Sequence, residues 1–137
     1  MKIKKILSLA LQITAAVILF QTLFFKFTAH PQSVELFTKL GVEPWGRIGT
    51  GILELHTPVL LLLPQTKVIG AFLGIGIMMG AIFSHLFVIG IETSGDGGLL
   101  FGLAIIVLIC CAFILAINKK EFFDLRTTFI PSRFRKV

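Results

Sequence analysis

Charge is scarce in this sequence. Lys, Arg, Asp and Glu make up 15% of the 137 residues, against 55% hydrophobic ones. The mean hydropathy is +0.95. A soluble chain this apolar could not cover its own surface with polar groups, so a small membrane protein is expected. Cysteine is scarcer still. Cys110 and Cys111 are neighbours rather than a C-x-x-C pair, and adjacent side chains on a helix diverge by about 100°. They read as buried, inert thiols, and the chain supplies no structural disulfide. Other patterns are missing altogether. There is no H-E-x-x-H or paired-His spacing, so no metal site is expected. No nucleophile elbow, phosphate loop or Ser/His/Asp order occurs. No internal repeat or linker divides the chain, which reads as one domain over 1–137.

The net charge of +6 would suit nucleic acid, but the placement of the bases argues against it. Lys2, Lys4 and Lys5 open the chain, and Lys119, Lys120, Arg126, Arg133, Arg135 and Lys136 close it. These ends read as juxtamembrane clusters facing anionic lipid. Between them lie four apolar runs, at about 6–29, 47–63, 68–91 and 98–117. A helix needs about 20 mostly apolar residues to cross the hydrocarbon. The runs lack the alternation of β-barrel strands. The expected fold is therefore an all-α, integral membrane four-helix bundle. The amino end resembles a signal peptide, but a cut after Ala29 would put Phe27 where a small residue is wanted, so a retained span is expected.

Basic residues set the expected orientation. Both termini and the turn "PQTK" share one side, which takes all the bases except Lys26, Lys39 and Arg47. This is an N-in, C-in arrangement. The loop at 30–45 would hold a short amphipathic helix, with Val34, Leu36, Phe37 and Leu40 on its apolar face, and Trp45 as an interfacial anchor. Asp96 in "SGDGG" is expected to N-cap the fourth span. The tail over 118–137 is expected on the inner membrane surface.

Ionisable residues inside spans are rare and mark either an internal ion pair or a site. Lys26 lies in the last turn of the first span. Glu54 sits about two turns into the second and His85 about two turns from the outer end of the third. All three fall in the outer half. Arg47 stands at the outer mouth of the second span, seven residues before Glu54 and on the same face, with Gly51 between them. His56 points about 200° away from Glu54 and belongs to another contact. Pro58 frees the carbonyl of Glu54. The candidate ligand-binding or proton-carrying residues are therefore Lys26, Glu54, His85, Arg47 and His56. A buried Lys26–Glu54 pair that only fixes packing is the competing reading. Gly70/Gly74 and Gly76/Gly80 read as surfaces for close helix packing.

The ordered stretches "LFFKFTAH", "LGVEPW", "GILELHTPVLLLLP" and "GAFLGIGIMMGAIFSH" resemble the DoxX/DoxD-like family of small four-helix membrane proteins. The family's Lys at the end of the first helix falls on Lys26, its Glu in the second helix on Glu54, and its small and polar residues in the third on Ala81 and His85. Some relatives are subunits of a thiosulfate:quinone oxidoreductase, and others associate with redox or thiol-stress systems. The resemblance implies a quinone-like ligand at the outer-side polar cluster, a membrane redox partner subunit, and a place in the bacterial cytoplasmic (inner) membrane. A non-enzymatic scaffold or assembly partner is the alternative, and a small transporter a third. A second copy of the chain is a further candidate partner.

Overall fold

The computed structural model describes residues 2–129, and side chains through Asp124. It is helical, with no strand among the described residues. The helices are α1 (Lys2–Phe27), α2 (Pro31–Lys39), α3 (Trp45–Leu62), α4 (Lys67–Ser84), α5 (Leu99–Ile117) and α6 (Lys119–Phe129). A π-helical turn, His85–Ile89, continues α4. Packing is cyclic: α1 lies against α3 and α5, and α4 against the same two.

Each boundary has a local cause. α1 ends two residues earlier than the apolar run, because Ala29 turns left-handed (φ 51°). His30 then caps α2, and Pro31 occupies its first turn, where a missing N–H costs nothing. The amphipathic expectation for this loop holds: Leu36 and Phe37 are buried. The third run also ends earlier than its apolar residues do. Regular α-helix stops at Ser84, and the chain leaves the π turn at Gly90, whose φ of 92° suits glycine. The formal N-cap of α5 is Gly98, not Asp96. Asp96 nevertheless performs the capping from two residues upstream. Its Oδ1 accepts from the Thr93 and Gly98 amides at 3.0 and 2.9 Å, and its Oδ2 accepts from the Leu100 amide at 3.1 Å. Residues 130–137, with Arg133, Arg135 and Lys136 of the expected inner-surface tail, lie outside the described residues.

Three helical stretches are long and apolar enough to cross a membrane: Lys2–Phe27, Lys67–Ile89 and Leu99–Ile117. α3 falls short of that measure because Arg47, Glu54, His56 and Pro58 interrupt its 18 residues. Large apolar side chains cover the outside of the molecule, among them Val17, Phe24, Phe72, Phe87, Ile106 and Phe113. So much exposed apolar surface matches hydrocarbon rather than water as a solvent.

The tightest packing lies in the half away from α2. Leu19, Leu61, Ala71, Val107, Cys111 and Ile114 are at most 1% exposed. Gly70 lets α4 press against the backbone of α3: a Cβ there would sit 2.7 Å from the Leu61 nitrogen. A Cβ at Gly74 would sit 2.7 Å from the Cys111 sulfur. Both thiols are free and buried, as expected. Gly76 and Gly80 depart from the expectation. Nothing lies within 4 Å of a Cβ at either, so they do not mediate close packing.

Candidate functional site

α1 and α3 run side by side, and their polar residues meet near the end of α1. Gly51 allows the approach, since its missing Cβ would lie 3.2 Å from the Phe27 ring and 3.7 Å from the Lys26 Cβ. One turn further along α3, Glu54 receives Lys26: the Lys26 Nζ lies 2.6 Å from the Glu54 Oε2. The two side chains are 14% and 5% exposed, so the pair is largely withdrawn from solvent. A charge-assisted hydrogen bond is the least that a buried carboxylate requires.

Arg47 is buried at the start of α3 and acts from behind. Its Nε donates to both Glu43 carboxylate oxygens, at 2.9 and 3.1 Å. Its Nη1 donates to the main-chain carbonyl of Lys26. That carbonyl lies in the last turn of α1, where its other donor is the Ala29 amide at 3.4 Å and positive charge is favoured. Arg47 therefore bolts α1 to α3 beside the pair without lining the space in front of it.

That space is a cavity of about 620 Å³ among α1 to α5. Lys26, Glu54 and His85 all line it, so three helices bring their ionisable groups to one volume. Most of the wall is apolar, with Leu19, Phe37, Leu53, Ile77, Leu103 and Val107 among its residues. The size is within the roughly 300–1,000 Å³ usual for small-molecule sites, as is the mixture of apolar wall and few polar groups. His85 enters from the π turn, a feature frequent at functional sites. It is 3% exposed, and its Nδ1 lies 2.9 Å from the Gly90 carbonyl oxygen.

His56 does not join this group. It is exposed on the outer face of α3, where its Nδ1 meets the Ile52 carbonyl oxygen at 2.8 Å. Three contributors were not singled out for the site from sequence. Gly76 and Gly80 line the cavity, and their missing side chains create part of its volume. Asp96 also lines it, with its oxygens occupied by the Thr93, Gly98 and Leu100 amides. The spacing Gly76–Gly80–Ser84, one residue per turn on one face of α4, was the available signal.

Burial alone would raise the Asp96 carboxyl. Hydrogen bonds from the Thr93, Gly98 and Leu100 amides and the Thr93 hydroxyl outweigh it and hold the group below the usual aspartate range. α2 closes over the cavity with Gln32, Leu36, Phe37 and Leu40. It is tied to the α4–α5 loop where the Ser94 hydroxyl donates to the Glu35 Oε2 at 2.5 Å.

A helical molecule with an apolar exterior, and ionisable groups buried beside a ligand-sized cavity, has the form of a small membrane protein. The chain belongs to the DoxX-like family, whose sequence profile matches residues 10–113. The match runs from α1 into α5 and takes in Lys26, Glu54 and His85. No curated protein and no solved structure matches the chain.

Proposed function

We propose that this protein binds a small, lipophilic, quinone-like molecule in the cavity between its helices, as a subunit of a membrane redox system. The observation that carries the reading is the convergence of Lys26, Glu54 and His85 on one mostly apolar volume of about 620 Å³. A ring oxygen would accept from Lys26, and the carboxylate and imidazole would take up or pass on the ligand's protons. In this reading α3 crosses the membrane with the other three long helices as a four-helix bundle. Both termini face the cytoplasm of a bacterial cell, and the cavity lies in the outer half of the inner membrane. The partner would be a redox subunit that meets the bundle in the bilayer, with a second copy of the chain as a further candidate.

Gly80→Leu gives the direct test. It fills open space rather than displacing a neighbour. The purified variant should melt like the parent and lose binding of a short-tailed naphthoquinone or its reduced form by at least about tenfold. Glu54→Gln should weaken the same binding. Unchanged binding in both would sink the proposal.

One observation favours a second reading. Lys26 and Glu54 already satisfy each other directly at 2.6 Å, and Arg47 secures the same corner. A scaffold or assembly partner needs no more than that from its polar residues, and its variants would alter stability without altering small-molecule binding.

A further inference from the structure

The cavity wall offers more hydrogen-bond acceptors than donors. His85 is the first case. A carbonyl oxygen can only accept, so the Nδ1 facing Gly90 carries a proton, and in the neutral tautomer that this contact selects Nε2 is an open lone pair. The ring is held in that orientation: the Gly90 amide donates back to the His85 carbonyl at 2.8 Å, and Phe101 packs edge-on at 5.7 Å. Among the described residues nothing donates to Nε2, and the ring borders the cavity.

Glu54 is the second case. Lys26 takes its Oε2, and among the described residues Oε1 has no donor. Two hydroxyls on the wall add to the excess. Thr22 and Ser84 spend their protons on the Leu19 and Gly80 carbonyls, at 2.9 Å each, so only their oxygen lone pairs remain. The opposing donor is Lys26, whose ammonium has three hydrogens and gives one to Glu54. Gln32 gives its amide hydrogens to the Thr93 carbonyl and the Asp96 Oδ2, while Gln21, Ser33 and Thr50 can both donate and accept, and so favour neither kind of ligand.

We infer that the cavity selects a ligand bearing hydroxyl hydrogens, which within the proposed function, on which this rests, means the reduced hydroquinone over the oxidised quinone. A quinone carries carbonyl acceptors alone. It satisfies Lys26 but meets His85 Nε2 and Glu54 Oε1 lone pair against lone pair, leaving buried acceptors unpaired. The hydroquinone of the same ring has two O–H donors for those acceptors, and its oxygens still accept from Lys26. Ring size and apolar contact are the same for both forms, so the hydrogen-bond balance decides between them.

The test is anaerobic titration calorimetry on the full-length protein in lipid nanodiscs. The probes are 1,4-naphthoquinone, 1,4-dihydroxynaphthalene and 1,4-dimethoxynaphthalene. The dihydroxy compound should bind about tenfold or more tighter than the other two. In His85→Phe, which keeps a ring and removes Nε2, that preference should fall to about threefold or less. Equal or tighter binding of the quinone or the dimethoxy ether overturns hydroxyl selection while leaving the cavity as a binding site. A full preference retained in His85→Phe overturns His85 as the acceptor. Failure of all three probes to bind overturns the proposed function and this inference together. Should His85→Phe not fold, the three-probe comparison on the parent protein decides.

Discussion

The two halves of α4 use the same residue at the same spacing for opposite ends. Gly70 and Gly74 face α3 and α5 so closely that a Cβ would strike the Leu61 backbone or the Cys111 sulfur. Gly76 and Gly80, each six residues further along, face open space and border the cavity. Around the first pair the core is solid, with Leu61, Ala71, Cys111 and Ile114 essentially inaccessible. Around the second stand Lys26, Glu54 and His85. A missing side chain thus brings helices together in one half and holds a volume open in the other. The difference lies in whether another helix comes within contact distance of the glycine face, as it does at Gly70 and Gly74 but not at Gly76 and Gly80.

The largest expected effect comes from the polar half. Lys26→Met leaves the buried Glu54 carboxylate without its cation and should cost about 3–5 kcal/mol, read as a lower melting temperature in detergent. Adding Glu54→Gln should recover most of that loss. If the double variant is no more stable than the single, the two residues are not a structural pair.

Gly70→Val comes next. It forces a branched side chain against the α3 backbone and should cost about 3 kcal/mol, whereas Gly80→Val should stay within about 0.5 kcal/mol of the parent. Equal losses at the two positions would erase the contrast between the halves.

Asp96→Ala removes the acceptor for the first amides of α5 and should cost about 1–2 kcal/mol. Because its carboxyl is held below the usual range, the contribution is complete above that range. It fades only as pH falls through the lowered value, so the parent and the variant should begin to converge in stability only below about pH 4. A gap that persists in acid would mean that charge is not the cause.

The smallest effect has the opposite sign. The Thr57 hydroxyl is fully buried and has no hydrogen-bond partner among the described residues. Thr57→Val should therefore stabilise the packed half by about 1 kcal/mol. A loss of stability instead would mean that the hydroxyl is satisfied in the folded protein.

Much of this architecture is legible in the sequence, because lipid imposes strong rules on a chain. Apolar runs with basic ends announce the long helices, and polar residues inside them stand out by their cost. Lys26, Glu54 and His85 were identifiable one by one on these grounds. The opposed directions of Glu54 and His56 follow from helix geometry alone. Arg47 was harder to read. Its position on the face of Glu54 suggested a ligand contact, whereas its Nε and Nη1 reach Glu43 and the Lys26 carbonyl and it does not line the cavity.

Composition and periodicity thus determined the helical class, the approximate reach of each long helix and the identity of its costly residues. These depend on solvent and on 3.6 residues per turn, which act within one segment. Only the tertiary structure decided that Lys26 meets Glu54, that His85 keeps its Nδ1 on Gly90, and that Gly76 and Gly80 open a cavity instead of closing a seam. Those outcomes depend on the distances between helices, which side chains from different segments set jointly.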